Sequence, residues 1–277
     1  MFKLKPIVKW AGGKRQLLPE LLKRLPEKWN YYFEPFVGGG ALLVELYKQN
    51  RITKAVISDL NQELVNLYKV VKEKPLELIE ILKLNSFKNE KEIYLKLRTR
   101  FNEIIGNQKY DIERAALFIY LNRHCYNGLW RVNKKGKFNV PFGKYKNPSM
   151  PSEDLIITFS RMLKKVEILY ADFEETVKNA RKDDFVYFDP PYQPISSTAH
   201  FTDYTTNGFN FSEQKRLAHV FKELSRKGVF VMMSNSDIEN IRNIYSEYNI
   251  YVVQANRFIN SNTKKRKGIH ELIITNY

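Results

Sequence analysis

The sequence predicts an α/β fold, in which a doubly wound, mostly parallel sheet is interrupted by an inserted domain of helices and a β-hairpin. Three observations predict it. An aromatic strand from Tyr31 runs through three consecutive glycines into a helical pattern, and the strand KAVIS at 54–58 is followed by a helix over 62–72. Such a βαβ unit implies parallel strands with a right-handed crossover. The third observation is that residues 75–122 show helical periodicity and no strand pattern, which indicates an insertion.

The predicted insertion has two parts. Residues 75–122 carry helical periodicity in LELIEILK, EIYLKLR and ERAALFIYLN. Residues 123–150 are basic, aromatic and rich in turn formers, and NKKGK is a predicted hairpin tip. We therefore assign residues 75–150 to the inserted domain, and residues 1–74 together with 151–277 to the core.

The sheet resumes after the insertion. A helix is predicted over 152–164, and the strands VEILY, FVYF and GVFVMMS follow. YNIYVVQ and HELIITNY are the last strand patterns. We expect these two to close the sheet as an antiparallel pair.

The composition indicates a folded protein without export or membrane segments. At 277 residues and 43% hydrophobic content, the chain can bury a core. It has no run of about 18 apolar residues, and its start lacks the apolar region of a signal peptide. The single Cys125 excludes an internal disulfide and a multi-cysteine metal site, and four histidines add no metal pattern. We expect a cytoplasmic protein without a bound metal.

The charge predicts a polyanionic partner. The net charge is +16, and 14% of the residues are aromatic. Excess positive charge favours nucleic acid, and aromatic rings provide surfaces on which bases stack. A lysine-rich surface that only reflects a biased composition is the alternative.

Polar residues and glycines follow several predicted strands. In open α/β sheets ligands bind at the carboxyl ends of the strands, and here those ends carry FVGGG, Asp59, Asp172 and Asp189. Gly38 and Gly40 allow close approach of the backbone to a ligand, and Asp59, about 20 residues further on, suits ribose hydroxyls. The pattern predicts a nucleoside-containing cofactor, with an ordinary tightly packed turn as the alternative.

Several related chemistries are not indicated. Leu43 stands where a dinucleotide-binding fingerprint needs its third glycine, which argues against NAD. AGGKR at 11–15 lacks the spacing and the hydroxyl of a phosphate-binding loop. Cys125 does not follow a proline, as a cytosine-C5 nucleophile would, and the zinc deaminase motifs are absent.

Four stretches carry a resemblance to a known family. They are KWAGGKRQLLPEL at 9–21, FEPFVGGGAL at 33–42, LNRHCYNGLWRVNKKGKFNVPFGKYKNP at 121–148 and YFDPPYQPISSTAHFTDYTTNGF at 187–209. They resemble the Dam family of DNA adenine-N6 methyltransferases, which includes GATC methylases of restriction-modification systems, over nearly the whole chain. The resemblance implies a Rossmann-like methyltransferase core, S-adenosylmethionine as donor, and methylation of adenine in double-stranded DNA at GATC after base flipping.

The tetrapeptide DPPY at 189–192 suits this chemistry. The lone pair of adenine N6 is delocalised into the ring, so N6 must be drawn toward tetrahedral geometry. The Asp189 carboxylate and the Pro190 carbonyl can each accept one N6–H and stabilise developing positive charge. Pro191 helps to hold the turn rigid, and the Tyr192 ring can stack on an extruded base, which contributes about 1–3 kcal/mol. A strand that merely ends at a proline turn is the alternative.

The resemblance also implies donor-binding residues. Asp59 would bind the ribose, and Asp172 with Phe173 would border the adenine of the donor. The full implied set is Trp10, Gly12, Lys14, Phe36, Gly38, Gly40, Asp59, Asp172, Phe173 and Asp189. Taken alone, Trp10 and Phe36 could equally be core residues.

The DNA-recognition residues implied by the resemblance lie mostly in the hairpin region. Lys9 and Arg131 would contact guanines, Leu129 and Pro141 would contact a thymine methyl, and Tyr126 would wedge into the stack. The full set is Lys9, Tyr126, Asn127, Leu129, Arg131, Asn139, Pro141, Lys144, Tyr145 and Lys146. The basic run at 264–267 is predicted to bind phosphate, with an ordinary exposed loop as the alternative.

Two other functions stay open: an RNA adenine methyltransferase and a non-catalytic DNA-binding module. Relatives that methylate glutamine in proteins or some RNA bases carry NPPY, so Asp189 favours DNA adenine. The intact DPPY and glycine turn argue against a module without activity. A monomer suffices for the chemistry, and a paired restriction endonuclease is a candidate genetic partner.

Overall fold

A computed structural model describes residues 4–14, 16–84, 86–106, 111–192, 209–255 and 269–277. Within these ranges the strands are β1 (Tyr31–Glu34), β2 (Lys54–Ser58), β3 (Val166–Leu169), β4 (Phe185–Phe188), β5 (Phe230–Ser236), β6 (Asn249–Ala255) and β7 (Ile269–Thr275). The helices are α1 (Leu18–Leu22), α2 (Ala41–Lys48), α3 (Gln62–Glu73), α4 (Pro75–Leu82), α5 (Lys91–Ile104), α6 (Ile112–His124), α7 (Glu153–Leu163), α8 (Phe173–Val177), α9 (Phe211–Arg226) and α10 (Glu239–Ile244). A 3₁₀ turn spans Tyr126–Gly128.

The strands form one seven-stranded sheet in the order β3-β2-β1-β4-β5-β7-β6. β1 pairs in parallel with β2 and with β4, and β4 pairs in parallel with β5. β7 is antiparallel to both β5 and β6. The predicted doubly wound, mostly parallel sheet and its antiparallel closure are confirmed. The order reverses between β1 and β4, which is the place where such sheets bind ligands.

Burial explains why β4 reads as a continuous apolar run. Parallel strands are covered on both faces, so successive side chains are apolar instead of alternating. Phe185, Val186, Tyr187 and Phe188 are all buried. Burying each apolar side chain of this size contributes roughly 1.5–3 kcal/mol. The end of β4 is therefore a firm base for the residues that follow it.

The chain divides into two compact units. The first comprises Met1–Gly13, Val37–Ile52 and Ser58–Tyr170, and the second comprises Lys14–Phe36, Thr53–Ile57 and Ala171–Tyr277. The stretch 75–150 lies within the first unit. The assignment of 75–150 as a separate recognition domain, apart from 1–74 and 151–277, remains a prediction.

The first unit is built around α6. Its residues from Arg114 to His124 are buried, because α3, α4 and α5 pack against it. The Asp111 side chain caps the helix by accepting the Arg114 N–H. Arg114 also pairs with buried Glu63, Nε to Oε2 at 3.1 Å. Cys125, directly after the helix, is fully buried, as a small core residue would be, and burial raises its pKa to about 12.

The predicted hairpin tip is present in the first unit. Val132 and Phe138 form an antiparallel bridge, and the Asn133 side chain accepts the N–H groups of Lys135 and Lys137. Trp130 packs beneath, 5.0 Å from the Phe118 ring and 5.3 Å from the Phe138 ring. Trp130 therefore connects the exposed basic hairpin to α6, which carries Phe118. None of the described helices is both long and apolar enough to cross a membrane.

Candidate active site

Asp189 follows β4 and is held through one of its two carboxylate oxygens. Oδ1 lies 2.9 Å from the Lys14 ammonium and accepts a 2.9 Å hydrogen bond from the Ser234 hydroxyl. The β4–β5 register pairs Phe188 with Met233, so the next residues, Asp189 and Ser234, emerge side by side. Within the described part of the chain, Oδ2 accepts no hydrogen bond. The carboxylate therefore presents a fixed acceptor.

The charges around Asp189 are coupled. Burial raises the pKa of Asp189, and the Lys14 ammonium and the Ser234 hydroxyl oppose that rise. Burial alone would lower the pKa of Lys14, but the carboxylates of Asp189 and Glu271 outweigh burial and raise it. Lys14 is thus a buried ammonium at neutral pH that stabilises the ionised form of Asp189.

Tyr192 is anchored at both its hydroxyl and its ring. The hydroxyl donates a 2.8 Å hydrogen bond to Oε2 of Glu271, and the Lys14 ammonium lies 4.2 Å from the ring centroid. An ammonium over an aromatic face is held by a cation–π interaction. One face of the ring consequently carries a positive charge, and the orientation of the ring is set.

A buried amide pair supports the proline turn. The Gln214 side chain donates a 3.3 Å hydrogen bond to the Pro191 carbonyl and accepts a 3.0 Å hydrogen bond from Asn235. Both amides are fully buried, and Pro190 is buried as well. The main chain of the DPPY turn is thus fixed from α9 and β5.

Ser234, Glu271 and Gln214 were not identified from the sequence. Ser234 lies in the polar SNS that ends β5, a strand-end signal similar to that of Asp189. Glu271 is a charged residue inside the apolar strand β7. Its position next to Tyr192 depends on strand pairing, which the pattern does not reveal.

Aromatic rings cluster beside the end of β1 in the second unit. Phe36 lies 5.5 Å from Phe173 and 5.7 Å from Phe209 between ring centroids. Arg216 covers Phe173 at 4.1 Å and binds both oxygens of Asp172, at 2.7 and 2.8 Å. Asp172 also caps α8 by accepting the Glu174 N–H. The structure brings Phe36 and Phe173 together, and Asp172 already has strong protein partners.

The glycine turn is organised by Asp59 in the first unit. Oδ2 of Asp59 accepts the Gly38 N–H at 3.0 Å, and Oδ1 accepts the Asn61 N–H at 2.8 Å. Burial raises the pKa of Asp59 to about 6, against the effect of these backbone hydrogen bonds. Gly38 has φ +45°, and a Cβ there would lie 2.6 Å from Cδ1 of Trp10. Trp10, Gly38 and Asp59 therefore form one small assembly.

The remaining glycines of the predicted donor set lie at bends of the first unit. Gly40 has φ +65° and precedes α2, while Gly12 has φ +79° and no atom within 4 Å of the position that a Cβ would take. The Tyr68 hydroxyl donates a 2.6 Å hydrogen bond to the Gly38 carbonyl, which helps to fix the conformation of the glycine turn.

The predicted recognition residues in the first unit fall into two groups. In the first group, the Lys9 ammonium lies 4.4 Å from the centroid of the Tyr145 ring, and the Tyr145 hydroxyl accepts the Asn127 N–H at 2.9 Å. In the second group, Arg131 donates to the side chain of Asn139 at 2.7 Å and to its carbonyl at 3.2 Å.

Most of these side chains are exposed. Tyr126, Asn127, Arg131, Pro141, Lys144 and Lys146 are exposed, as is Lys9, while Leu129, Asn139 and Tyr145 are half-buried. The basic run at 264–267 lies outside the described residues. The described part of the chain contains no cluster of three His, Cys, Asp or Glu that could hold a metal ion.

Comparison with known proteins gives a consistent result. Residues 10–259 match the family model described as D12 class N6 adenine-specific DNA methyltransferase. The chain is 47% identical to the type II methyltransferase M1.LlaDCHI of Lactococcus lactis subsp. cremoris, over 99% of this chain and 96% of the relative. It is 44% identical to the type II methyltransferase M.MjaIII of Methanocaldococcus jannaschii, over 99% of each. The DNA adenine methylase of Serratia marcescens is 39% identical, over 99% of this chain and 98% of the relative.

Proposed function

Because the chain belongs to the D12 class of N6 adenine-specific DNA methyltransferases, it transfers a methyl group from S-adenosylmethionine to adenine N6 in DNA, and we propose that Asp189 and Pro190 hold the receiving amino group. We further propose that the target is GATC in double-stranded DNA, that the adenine is flipped out of the duplex, and that Pro191 and Tyr192 complete its binding site.

The observation that carries this assignment is the one-sided fixation of Asp189. Lys14 and Ser234 both engage Oδ1, and no described residue donates to Oδ2. Oδ2 can accept one N6–H, and the carbonyl of Pro190 can accept the other. Two acceptors at fixed positions favour a tetrahedral nitrogen with an available lone pair, and they stabilise its developing positive charge.

For the ribose of the donor we propose Asp59, with Gly38 and Trp10 shaping the contact. The donor supplies an electrophilic methyl group on a positively charged sulfur. The turn fits a nucleoside because glycine leaves the backbone accessible. The half-buried Asp59 carboxylate orders the turn through backbone N–H groups and keeps lone pairs for hydroxyl donors. We assign Gly12 and Gly40 to the bends of the main chain that support this contact.

For the adenine of the donor we propose the aromatic pair Phe36 and Phe173. Their rings, 5.5 Å apart, offer apolar surface to a planar base. Since Arg216 engages both oxygens of Asp172 and covers Phe173, we assign Asp172 the role of holding Phe173 and Arg216 in place.

Base flipping follows from the position of the reacting atom. An enclosed site cannot reach N6 inside a duplex, so the adenine must leave the stack. We propose that it stacks on the face of Tyr192 opposite Lys14, because the ammonium occupies the other face. Exposed Tyr126 would fill the space left in the duplex.

The GATC proposal rests on residue chemistry in the first unit. Arg131 presents a guanidinium oriented by Asn139, which suits two hydrogen bonds to guanine O6 and N7. Lys9, placed over Tyr145, is the second proposed guanine contact. Leu129 and Pro141 can offer only apolar contact, as a thymine methyl requires. Lys144, Tyr145 and Lys146 are assigned to the DNA backbone and the first base pair.

For the biological setting we propose a restriction-modification system, in which a monomer protects sites that a paired endonuclease would cut. This is supported by the names of two relatives, both type II methyltransferases, at 47% and 44% identity. A neighbouring endonuclease gene with GATC specificity would be the expected finding. Marking of a genome for repair is the alternative, since a relative at 39% identity is a DNA adenine methylase.

The test is methyl transfer from labelled S-adenosylmethionine to matched substrates. One duplex contains GATC, one carries a single substitution in it, and a structured RNA carries the same sequence. We expect labelling of the first alone, at adenine N6. Equal labelling of both duplexes would contradict the GATC assignment, and preference for the RNA would contradict the DNA substrate.

A further inference from the structure

The Lys14 ammonium raises a problem for the proposed role of Asp189. It lies 2.9 Å from Oδ1 of a carboxylate that should stabilise positive charge. The donor carries a positive sulfur before transfer, and N6 becomes positive as the new bond forms. A pair of Asp189 and Lys14 alone has no net charge, so its long-range attraction for these cations would be small.

Glu271 supplies a second carboxylate that acts on the Lys14 ammonium. It lies on β7, where the register pairs it with Ser236 of β5, and its side chain is 8% exposed. It accepts the Tyr192 hydroxyl at 2.8 Å, and Tyr192 in turn carries the Lys14 ammonium over its ring. Asp189, Lys14 and Glu271 are thus linked, and their charges add to one net negative charge.

We infer that Glu271 is a positioning residue that balances Lys14 and leaves the site with a net negative charge, so that it favours the cationic donor over the neutral product S-adenosylhomocysteine. This inference rests on the proposed role of Asp189. In support, the Glu271 carboxylate helps Asp189 to raise the pKa of Lys14 above its ordinary value, although burial works in the opposite direction. Glu271 also lies beyond residues 10–259, which match the family model.

A simpler role for Glu271 would be to accept the Tyr192 hydroxyl and nothing more. The two roles differ in their consequences. A purely local acceptor would affect the ring of Tyr192 and both nucleosides alike. A charge-balancing residue changes the relative affinity for a cationic and a neutral ligand of nearly the same shape.

The test is calorimetric titration of the full chain with S-adenosylmethionine and with S-adenosylhomocysteine. The variants are Glu271→Gln, which keeps an acceptor but removes the charge, and Tyr192→Phe, which keeps the ring but removes the hydroxyl. Glu247→Gln removes an exposed carboxylate that pairs only with Lys222 among its described contacts, and it serves as the charge control. We expect Glu271→Gln to shift the ratio of the two Kd values about tenfold toward the neutral product. The other two variants should leave the ratio unchanged.

A second variant keeps the test decisive if Glu271→Gln does not fold. Lys14→Met should shift the ratio in the opposite direction, toward the cationic donor. Where Glu271→Gln does fold, the double variant with Lys14→Met should be faster in single-turnover methylation than the product of the two single effects predicts, because it restores one net negative charge.

An unchanged Kd ratio in Glu271→Gln would overturn the inference, and where that variant does not fold, an unchanged ratio in Lys14→Met would do so. A shift of the Kd ratio in Tyr192→Phe as large as that in Glu271→Gln would also overturn it. Asp189→Ala, measured in parallel, separates this failure from the failure of the proposed function. If Asp189→Ala retains full transfer, the role of Asp189 is wrong. If Asp189→Ala is inactive and the Kd ratio of Glu271→Gln is unchanged, only the role of Glu271 is wrong.

Discussion

The Ser234 hydroxyl donates a 2.9 Å hydrogen bond to Oδ1 of Asp189, across two adjacent parallel strands. Ser234 also lies 2.8 Å from the hydroxyl of Tyr187, a buried residue of β4. Since Ser234 uses its proton toward Asp189, Tyr187 must donate to Ser234. The orientation of the carboxylate is therefore set by a chain of hydroxyls that starts in the core.

Ser234→Ala should slow methyl transfer without weakening the binding of the donor. A hydrogen bond to a charged group contributes about 1.5–3 kcal/mol, so the single-turnover rate should fall about 10- to 100-fold. The Ser234 hydrogen bond lowers the pKa of Asp189, so its loss should also move the acid limb of the pH–rate profile to higher pH. An unchanged rate and profile would mean that Lys14 alone orients the carboxylate.

Asp189→Ala should abolish transfer while leaving the binding of S-adenosylhomocysteine largely in place. Removing an acceptor that stabilises charge in the transition state costs on the order of 10³-fold in rate. Single-turnover assays give the rate, and titration with S-adenosylhomocysteine, the neutral ligand, gives the affinity. Substantial residual turnover would end the mechanism proposed for the DPPY turn.

Arg131→Ala should relax discrimination at one base pair of the target. A side chain that makes two hydrogen bonds to guanine is worth about 1–3 kcal/mol of discrimination. Comparing kcat/KM on GATC and on duplexes with one substituted guanine measures this loss. Lys135→Ala is the matched control, because it removes a positive charge from the exposed hairpin tip. If both variants lose the same affinity on every duplex, Arg131 binds backbone only.

Donor binding should depend on pH through Asp59. Burial raises its pKa to about 6, so the ionised form that accepts ribose hydroxyls is lost as the pH falls through about 6. An unperturbed aspartate would remain ionised to about pH 4. The Kd for S-adenosylhomocysteine should therefore rise between pH 7 and 5, and Asp59→Asn should weaken binding and flatten this dependence. A wild-type Kd that stays constant down to pH 5 would argue against a carboxylate contact.

Gly38→Ala should destabilise the protein more than a glycine substitution at an open turn. The residue has φ +45°, and its new Cβ would lie 2.6 Å from Trp10. Gly136→Ala is the control, since Gly136 has φ +70° with nothing within 4 Å. The backbone cost is about 1–2 kcal/mol in both, and the collision adds about 1–3 kcal/mol at Gly38 alone. Thermal melts should separate the two variants, and equal Tm values would show that the Trp10 side chain moves aside without a loss of stability.

The sequence predicted the sheet well because its strands are short apolar runs with clear ends. Asp59, Asp172 and Asp189 could be placed at strand ends from the pattern alone. Ser234 and Glu271 could not, because they reach Asp189 and Tyr192 from 45 and 79 residues away through strand register. Register depends on pairing between distant segments, which periodicity within one segment does not encode.

The charged partners of Asp189 and Asp172 could not be predicted from the sequence pattern either. Lys14 was expected near the donor, but the pattern could not show that its ammonium pairs with Asp189. Arg216 lies in the second turn of the amphipathic helix α9, and nothing in its spacing indicates that it binds both oxygens of Asp172. Long flexible side chains reach partners that local sequence does not specify.

The burial of Cys125 makes the protein convenient to label. It is the only cysteine of the chain and is fully buried, and burial raises the pKa of its thiol to about 12, so the thiol is protonated at neutral pH. Thiolate is the reactive form, so maleimide dyes react slowly with such a residue. A cysteine introduced at position 135, on the exposed hairpin tip, would then carry a fluorophore at a single site. That fluorophore would report the arrival of DNA at the hairpin independently of methyl transfer.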